Sequence, residues 1–208
     1  MKPKGKKLPA SYYISHDVNF LAKDLLGKFL CTRIDEIYTC GKIVETEAYR
    51  GPDDRAAHSF NNRRTPRTEV MYREGGVAYI YFCYGIHHMM NVVTAPQDHP
   101  HAVLIRALEP SDGIDYMAQR RKMVSSDIRL TKGPGALCVA LGLTKGMTGT
   151  SLHKSSTSIW IEDRAVKFTD AEICVGKRIG IDSAGDAADW PWRYFVKGSR
   201  YVSAKRTC

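Results

Sequence analysis

Short strand-like segments recur along the chain, and the helix-like segments between them are few and brief. Residues 28–34 (KFLCTRI) and 41–49 (GKIVETEAY) have the β-branched and aromatic content of adjacent strands joined by a turn. Similar short segments follow at 102–108, 158–163 and 193–198. This alternation predicts a single α+β domain, with a mixed, largely antiparallel sheet flanked by helices and a protruding tyrosine-bearing β-hairpin.

The ends of the helix-like segments carry recognisable capping residues. Ser15 or Asp17 is suited to cap a first helix, and Gly27 is suited to end it. Ser111 is suited to cap a second helix, and the segment 133–143 (GPGALCVALGL) predicts a third one bounded by glycines.

The first ten residues differ in composition from the rest of the chain. Residues 1–10 contain four lysines and two prolines, which predicts a flexible basic tail. They lack the apolar core of a secretory signal, and no apolar run in the 208 residues approaches the roughly 18 needed to span a membrane. We therefore expect residues 11–208 to form a single domain of an intracellular protein.

Six cysteines are spread along the chain without a CxxC pair and without the spacing of zinc ligands. Because cytosolic proteins keep their thiols reduced, this pattern predicts free thiols and no metal site. The cysteines are Cys31, Cys40, Cys83, Cys138, Cys174 and Cys208.

The formal net charge of +9 is large for a chain of this length. Such a charge favours a polyanionic partner, either nucleic acid or an acidic membrane surface. The alternative is a basic protein without a polyanionic partner, and charge alone leaves these interpretations open.

Three charged residues stand within apolar strand-like segments. Glu45 and Glu47 share one face of the strand VETEAY, because side chains alternate between the two faces of a strand. Arg106 lies within AVLIRAL, where a charge is expensive to bury unless it is paired, and a glutamate of a neighbouring strand is the natural partner. Either this is a structural ion pair beside a solvated strand face, or the arginine orients a catalytic carboxylate and its water.

Two further polar residues are candidates for a binding site. His58 stands between small residues in the long polar loop 50–67, and loops of this length inside a compact domain are often functional. Asn91 lies within an apolar strand and suits either recognition of a base edge or the fixing of a backbone bend. A lone loop histidine more often bonds the backbone than takes part in catalysis. His58 and Asn91 therefore each keep a structural alternative to a role in binding.

The segment 74–93 predicts a β-hairpin with an unusual number of tyrosines. Tyr79 and Tyr81 share one face, whereas Tyr84 has the opposite parity and lies beside Gly85 at the predicted tip. An aromatic ring at an exposed tip is suited to wedge into a stack of bases, and Tyr81 is suited to stack on a base. The alternative is that these rings serve only core and cross-strand packing.

Arginines are concentrated just before this hairpin. Such a cluster is suited to grip phosphates on either side of a wedge, although a solvated loop is the alternative. The cluster consists of Arg50, Arg55, Arg63, Arg64, Arg67 and Arg73. We take Arg63, Arg64, Thr65 and Arg67 as the candidate contacts to the DNA backbone.

In order and spacing, these segments resemble the alkyladenine (3-methyladenine) DNA glycosylase family, also called methylpurine glycosylases. The matching segments are VETEAYRGPDDRAAHS, RRTPR, MY, YIYFCYGIHHMMNVV, LIRALEP, GPGALCVALGL and KGSRYVS. Each segment alone is weakly specific, but the ordered set spans roughly residues 15–203 and is highly specific. The resemblance implies a single α+β domain with a twisted antiparallel sheet and no metal or other cofactor.

The resemblance also implies roles for individual residues. Glu47 matches the catalytic base of the family, and Arg106 matches the arginine that holds the carboxylate and its water. Three aromatic residues match those that enclose the flipped base, and they are Tyr49, His58 and Tyr81.

Two more positions match the hairpin and the base-binding pocket of the family. Tyr84 matches the intercalating residue that fills the vacated stack, and Asn91 matches the residue that crowds the exocyclic amino group of normal guanine. The chain departs from the usual family pattern close to the hairpin tip and after Tyr49, so the wedge geometry and the lesion preference are not carried over. The departing residues are Arg50, Ile86, His87 and His88.

The implied reaction is base excision by a monomeric, monofunctional glycosylase acting on double-stranded DNA that contains damaged purines. A base inside a duplex must first be rotated out of the stack, and Glu47 would then activate water to attack C1′ and leave an abasic site. Electron-rich rings favour cationic alkylated purines through cation–π attraction, whereas deaminated purines leave poorly without protonation. The expected location is the cytoplasm (nucleoid) of a prokaryote or the nucleus of a eukaryote.

Two other classes of function remain at the level of sequence. A sugar-directed glycoside hydrolase would use Glu45 and Glu47 as its carboxylate pair, but such pairs lie across a scissile bond and not side by side on one strand. A catalytically inactive protein that binds DNA or RNA would have no need of Glu47 with Arg106. Release of free base from methylated DNA distinguishes the three.

Overall fold

The computed structural model describes residues 4–83 and 85–203. Nine β-strands and three α-helices are found in this part of the chain. The strands are β1 (Lys6–Lys7), β2 (Phe29–Ile34), β3 (Ile37–Arg50), β4 (Ala78–Cys83), β5 (His87–Thr94), β6 (His101–Asp112), β7 (Ile159–Asp163), β8 (Ile173–Gly176) and β9 (Arg193–Val196). The α-helices are α1 (Val18–Asp24), α2 (Ile114–Arg121) and α3 (Pro134–Leu141).

All strand pairs of the sheet are antiparallel among the described residues. The main path runs β1–β7–β2–β3–β6–β5–β4, while β9 pairs with β3 and β8 pairs with β9. The long strands β3 and β6 form the centre, where one side packs on the helices and buries an aliphatic core that includes Ile43, Ile105 and Leu137. The predicted α+β class with a largely antiparallel sheet and a tyrosine-bearing hairpin is confirmed.

The helices begin and end where local chemistry allows. Asp17 caps α1 by accepting a hydrogen bond from the Phe20 amide at 2.9 Å, and α3 starts with Pro134 and ends before Gly142. The prediction that Ser111 caps the second helix was wrong. Ser111 belongs to β6, because the strand continues past its apolar segment 102–108 as far as Asp112, and α2 begins only after Gly113.

The remaining helical segments are short 3₁₀ turns. They are Ala10–Tyr13, Phe60–Asn62, Glu69–Tyr72, Lys145–Met147, Asp170–Glu172 and Asp182–Asp189. None of the helices within 4–83 and 85–203 has the length and apolar character required to cross a bilayer.

The described part of the N-terminal segment is ordered into the sheet, which corrects the prediction of a flexible tail for residues 4–10. Lys6 and Lys7 form β1 and pair with Asp163 and Glu162 of β7, and Leu8 is buried. The composition did not reveal this strand, because a short edge strand is held by backbone hydrogen bonds and these do not depend on the side chains.

The sequence predicted that all six cysteines are free thiols, and this prediction was wrong. Cys31 of β2 and Cys40 of β3 are directly opposite each other in the antiparallel register and form a disulfide. Their Cα atoms are 4.1 Å apart, close to the short spacing of a non-hydrogen-bonded cross-strand pair. The sequence separation of nine gave no cue, because only the hairpin register brings the two thiols together. Cys83 and Cys138 are free.

Candidate active site

A cavity of about 560 Å³ opens on the sheet where β3, β5 and β6 meet the hairpin β4–β5. Five of the residues given a catalytic or base-binding role from the sequence line this one cavity, although they come from separate segments of the chain. They are Tyr49, His58, Tyr81, Asn91 and Arg106. Its other walls come from the loop after β8, which contributes Ile179–Ile181, and from the start of α3.

Glu47 lies immediately behind the cavity wall and is fully buried. Its Oε1 accepts hydrogen bonds from the Ile179 amide at 2.8 Å and faces Arg106 Nη1 at 3.2 Å, while Oε2 accepts from the Tyr49 hydroxyl at 2.7 Å. Burial raises the pKa of the Glu47 carboxyl above its ordinary value, and the nearby Arg106 charge and these hydrogen bonds oppose part of that rise. A carboxylate with a raised pKa is suited to act as a general base.

Glu45 occupies a different environment although it stands only two residues away on β3. Its Oε1 accepts from Arg106 Nε at 3.3 Å and from Arg193 Nη1 at 3.0 Å, and its Oε2 accepts from the Ser203 amide at 2.7 Å. Glu45 is fully buried and is absent from the cavity wall. The predicted pairing of Arg106 with a strand glutamate is present, and the same guanidinium contacts both carboxylates.

A β-bulge aims Arg106 at the two glutamates. In the β3–β6 ladder, Glu45 faces Ala107 and Thr46 faces Ile105, so Arg106 has no partner residue of its own in the register. A bulge locally bends the strand and redirects the extra side chain, a device that recurs next to active sites. Beside the pair, Arg193 at the start of β9 supplies a second positive charge.

Tyr49 forms one wall of the cavity, and a second buried ion pair holds its ring. The Arg178 guanidinium lies 4.7 Å from the centre of the Tyr49 ring. Arg178 is itself fixed by Asp54 at 2.5 and 2.9 Å and by the Ala48 carbonyl at 2.9 Å. The Tyr49 phenol has a pKa well above its ordinary value because it is buried and lies next to Glu47, so it is a neutral donor at pH 7.

His58 is held between two partners at the opposite side of the cavity. Its Nε2 is 3.2 Å from Arg67 Nη2 and its Nδ1 is 2.8 Å from the Tyr79 hydroxyl. Because a guanidinium only donates, Nε2 accepts and Nδ1 carries the proton that is donated to Tyr79. Burial, with a smaller effect of Arg67 and Arg63, lowers the pKa of His58 to about 4, so the ring is neutral at pH 7.

The hairpin carries Tyr79 and Tyr81 on the cavity side, as their shared parity predicted. The His58 ring meets Tyr81 edge-on with centres 4.6 Å apart, and Arg67 lies 5.1 Å from the Tyr81 ring centre. Tyr84, the predicted intercalating residue, lies outside the described residues. Next to it, Gly85 adopts a φ of 67°, and the Ile86 side chain is 69% exposed at the hairpin end.

Asn91 fixes the backbone of the hairpin and also lines the cavity. Its Nδ2 donates to the Tyr79 carbonyl at 3.1 Å and to the Met89 carbonyl at 3.3 Å. Both donors of the amide are therefore used within the protein, and the amide oxygen is the group left for a ligand.

The arginines before the hairpin do not form one uniform basic surface. Arg64 is bound by Glu69 at 2.7 Å and Asp98 at 3.0 Å, and Arg50 is bound by Asp53. Arg63 is exposed, whereas Thr65 is half-buried and bonds Thr68. Of the remaining members of the cluster, Arg55 and Arg67 line the cavity.

Several groups of the site were missed at the level of sequence. The Ile179 and Ser203 contacts are made by main-chain amides, which leave no sequence signal. Arg193 and Arg178 each adjoin an apolar strand-like segment, and the argument that singled out Arg106 applies to them. Asp54 was passed over because it stands among the polar residues of a long loop.

One potential metal-binding group is found in the described part of the chain. It consists of Cys31, Cys40 and Glu162, and none of the three lines the cavity. The thiols are joined as a disulfide, and Glu162 accepts hydrogen bonds from Arg164 at 2.7 Å and from the Trp160 indole at 3.1 Å. These donors occupy the carboxylate, so this group does not fit a cation.

Comparison with known proteins gives a consistent result. The sequence profile described as "Methylpurine-DNA glycosylase (MPG)" matches residues 12–200. Relatives from Chlamydia felis, Clostridium novyi and Bacillus cereus all have the name "Putative 3-methyladenine DNA glycosylase". The first is 48% identical over 91% of this chain and 95% of its own, the second 44% over 96% and 100%, and the third 46% over 95% and 98%.

Proposed function

The chain belongs to the methylpurine-DNA glycosylase family, and from this membership we propose that it removes damaged purines from duplex DNA as a monofunctional glycosylase. The observation that carries the proposal is Glu47, a buried carboxylate with a raised pKa, held by Arg106 directly behind an aromatic cavity. The fold alone does not establish the activity, because one fold hosts many activities and the residues of the site determine which one is present.

The cavity is suited to hold a purine that has been rotated out of the helix. Tyr49, Tyr81 and His58 present rings from different sides, and stacking on such rings is worth about 1–3 kcal/mol per base. His58 is neutral and presents an uncharged ring to the base. The cation–π attraction that a cationic alkylpurine experiences is therefore assigned to Tyr49 and Tyr81. Asn91 beside them restricts the space for an exocyclic amino group.

In the reaction, Glu47 accepts a proton from water while the water oxygen bonds to C1′ and the bond from C1′ to the base breaks. Arg106 keeps the carboxylate oriented and stabilises its charge before the transfer. Among the described residues no lysine lines the cavity, so the attack through a lysine amine that bifunctional enzymes need has no candidate nucleophile there. The product is an intact strand with an abasic site.

The range of substrates includes alkylated purines and, with slower departure, deaminated purines such as hypoxanthine. A cationic alkylpurine leaves as a neutral molecule, whereas a neutral base leaves as an anion unless it is protonated. Because His58 is neutral above a pKa of about 4, it is not the acid that protonates the leaving base. We place the protein on duplex DNA as a monomer, within the cell.

The hairpin is the proposed wedge. Tyr84 would fill the gap left by the flipped base, so the Tyr84→Ala variant should lose most activity on well-paired lesions and little on single strands, where extrusion costs less. Tyr81→Ala should lose activity in both contexts, because stacking is needed however the base arrives. If each variant lost as much activity on single strands as on duplexes, the tyrosines would act only as packing residues.

A sugar-directed glycoside hydrolase is disfavoured by the position of Glu45. Its two oxygens are held by Arg106, Arg193 and the Ser203 amide behind the cavity, so it is not placed across a scissile bond from Glu47.

The deciding experiment is incubation of the protein with duplexes that carry 3-methyladenine, 7-methylguanine, hypoxanthine or ethenoadenine. We expect alkali-sensitive abasic sites and no strand breakage before alkali treatment, with the Glu47→Gln variant as the inactive control. Breakage without alkali, or trapping of the enzyme on DNA by borohydride, would contradict the monofunctional mechanism. No release of base from any of the four duplexes would contradict the function itself.

A further inference from the structure

A fully buried ion pair lies beside the cavity without lining it. The side chains of Asp54 and Arg178 have no exposed surface, and two hydrogen bonds of 2.5 and 2.9 Å join them. Asp54 belongs to the loop after β3, and Arg178 belongs to the loop after β8, 124 residues further along the chain. Such a pair gains little stability over apolar side chains of the same size, so its other contacts indicate what else it does.

Asp54 fixes the loop that forms one wall of the cavity. Its carboxylate accepts a hydrogen bond from the Ala56 amide at 2.9 Å in addition to those from Arg178, and its carbonyl accepts from the Ala57 amide at 2.9 Å. These two alanines and His58 line the cavity. The loop conformation that Asp54 fixes therefore sets the position of this wall.

Arg178 fixes another wall. Its guanidinium donates to the Ala48 carbonyl of β3 at 2.9 Å and to the Ala187 carbonyl at 3.0 Å. The next residue, Ile179, lines the cavity, and its amide donates to Glu47 Oε1 at 2.8 Å. Arg178 therefore anchors the main chain at the residue directly before the amide that binds the candidate base.

We propose that Asp54 and Arg178 are positioning residues for base excision, because their ion pair joins the two loops that carry the walls of the cavity. The inference rests on the proposed function. Neither residue lines the cavity, so both act through the loops, which keep the Ile179 amide on Glu47 and His58 in its wall. A guanidinium suits this task because its planar fork binds a carboxylate and main-chain carbonyls at the same time.

The Ile179 hydrogen bond gives this positioning role a measurable pH dependence. Burial raises the pKa of Glu47, and the hydrogen bond from the Ile179 amide is one of the contacts that oppose this rise. If the amide moves away, the pKa of Glu47 rises further, the base becomes protonated at a higher pH, and the acidic limb of the excision rate moves upward. An ion pair that only stabilised the fold would leave the acidic limb where it is.

The other charged or titratable groups beside Glu47 stay in place in this comparison. They are Arg106 on β6, Arg193 on β9, and Glu45 and Tyr49 on β3 itself. Removal of both members of the ion pair takes away one negative and one positive charge, so the net charge of the protein does not change. A shift of the acidic limb then reports on the Ile179 contact.

The test is single-turnover excision from pH 5 to pH 9 by the double variant Asp54→Asn with Arg178→Met, on a duplex that carries 3-methyladenine. The asparagine oxygen can still accept from the Ala56 amide, so the variant removes chiefly the link between the loops. Per folded molecule, we expect the maximal rate to fall roughly 10- to 100-fold, as for a small misplacement of reacting groups. We expect the acidic limb to move upward by about one pH unit, equivalent to one hydrogen bond to an ionised carboxylate.

A parental maximal rate or an unmoved acidic limb in the folded double variant would overturn the proposal. Arg178→Lys is a milder second variant, which keeps the charge beside Asp54 but lacks the planar fork. It should shift the acidic limb in the same direction by less, and an unmoved limb in this variant counts against the proposal in the same way.

Glu162→Gln is the matched control, because it breaks another buried ion pair, with Arg164, and neither of these residues lines the cavity. Urea unfolding measures the loss of stability in each variant and gives the folded fraction in the assay. The control should keep the parental rate per folded molecule and the parental acidic limb. If it reproduced both changes of the double variant, the effect would be one of stability, and the positioning role would be overturned.

A second measurement does not depend on turnover. Hydrogen exchange of the Ile179 amide should be faster in the double variant than in the parent, relative to the Ile43 amide of β3, which donates to the Lys28 carbonyl at 2.8 Å. The ratio of the two exchange rates removes the effect of global unfolding, and an unchanged ratio overturns the positioning role. If the parent protein releases no base, the proposed function fails, and this ratio still shows whether the ion pair holds the Ile179 loop.

Discussion

Two clusters of buried charges lie in the same sheet, and only one of them adjoins a cavity. The cavity cluster consists of Glu45, Glu47, Arg106 and Arg193, where β3 meets β6 and β9. In both clusters, carboxylates with no exposed surface are bound by arginines at distances of 2.7–3.3 Å.

The edge cluster consists of Asp112, Glu162 and Arg164, near β1 and β7, together with Lys4, whose side chain is 54% exposed. Arg164 contacts Glu162 at 2.7 Å and Asp112 at 2.9 Å, and Lys4 also pairs with Asp112. None of these four residues lines the cavity, whereas Arg106 does.

A buried ion pair is therefore not by itself a sign of catalysis. In the sequence, Glu162 of SIWIED looks much like Glu47 of VETEAY, since each is an acid in an apolar strand. Glu162 receives its hydrogen bonds from Trp160 and Arg164, which only donate. The partners of Glu47 are Tyr49, Arg106 and Ile179, and all three line the cavity, whereas Trp160 and Arg164 do not.

The largest expected effect separates the two clusters by activity. Glu47→Gln should lower single-turnover excision by about 10²–10⁴-fold, because the amide cannot accept the proton of water. Glu162→Gln should leave excision per folded molecule unchanged and lower the free energy of unfolding by about 3 kcal/mol, because Arg164 loses a buried partner. Excision assays and urea unfolding measure the two effects, and a matching loss of excision in Glu162→Gln would contradict the distinction between the two clusters.

The arginines of the two clusters should differ in the same way. Arg106→Lys should reduce excision by about 10²-fold, because a single ammonium cannot contact Glu45 and Glu47 as the planar guanidinium does. Arg164→Lys should reduce only the unfolding free energy. Parental activity in Arg106→Lys would show that the positive charge alone suffices and that the bridging geometry does not matter.

Within the cavity cluster, Glu45 should act on the pH dependence of excision. The negative charge of Glu45 contributes to the raised pKa of Glu47, so Glu45→Gln lowers the pKa of Glu47. A lower pKa keeps the base ionised to lower pH, and the acidic limb of excision should therefore move downward. This shift is opposite in sign to the one expected for Tyr49→Phe, which removes a hydrogen bond that lowers the pKa of Glu47. An upward shift in Glu45→Gln would contradict the assignment of Glu47 as the base.

The smallest effect is expected at the surface, where Arg64 has two acidic partners and Arg63 has none among the described residues. Arg63→Ala should reduce the slope of log binding constant against log salt by about one, as expected for the loss of one phosphate contact. Arg64→Ala should change the slope less, because Glu69 and Asp98 already bind its guanidinium. Equal changes in both variants would indicate that DNA displaces the carboxylates from Arg64.

Much of the fold could be predicted from the sequence because the relevant signals are local. Alternation with a period of two places Glu45 and Glu47 on one face, and both contact Arg106 as that pattern predicted. The cap at Asp17 and the stop at Gly142 also follow from single residues. The predicted cap at Ser111 failed, because the pairing of β6 with β3 extends the strand beyond its apolar segment.

The pairing of Arg106 with a strand glutamate could be predicted from the sequence, since a buried arginine in an apolar strand is costly without a carboxylate. Which of the two glutamates adjoins the cavity depends on contacts that form only in the folded chain. The Ile179 amide that holds Glu47 is 132 residues away in the chain, and the Ser203 amide that holds Glu45 is 158 residues away. Contacts of this kind depend on strand register and loop path, and a main-chain amide is the same at every non-proline position, so no local pattern announces them.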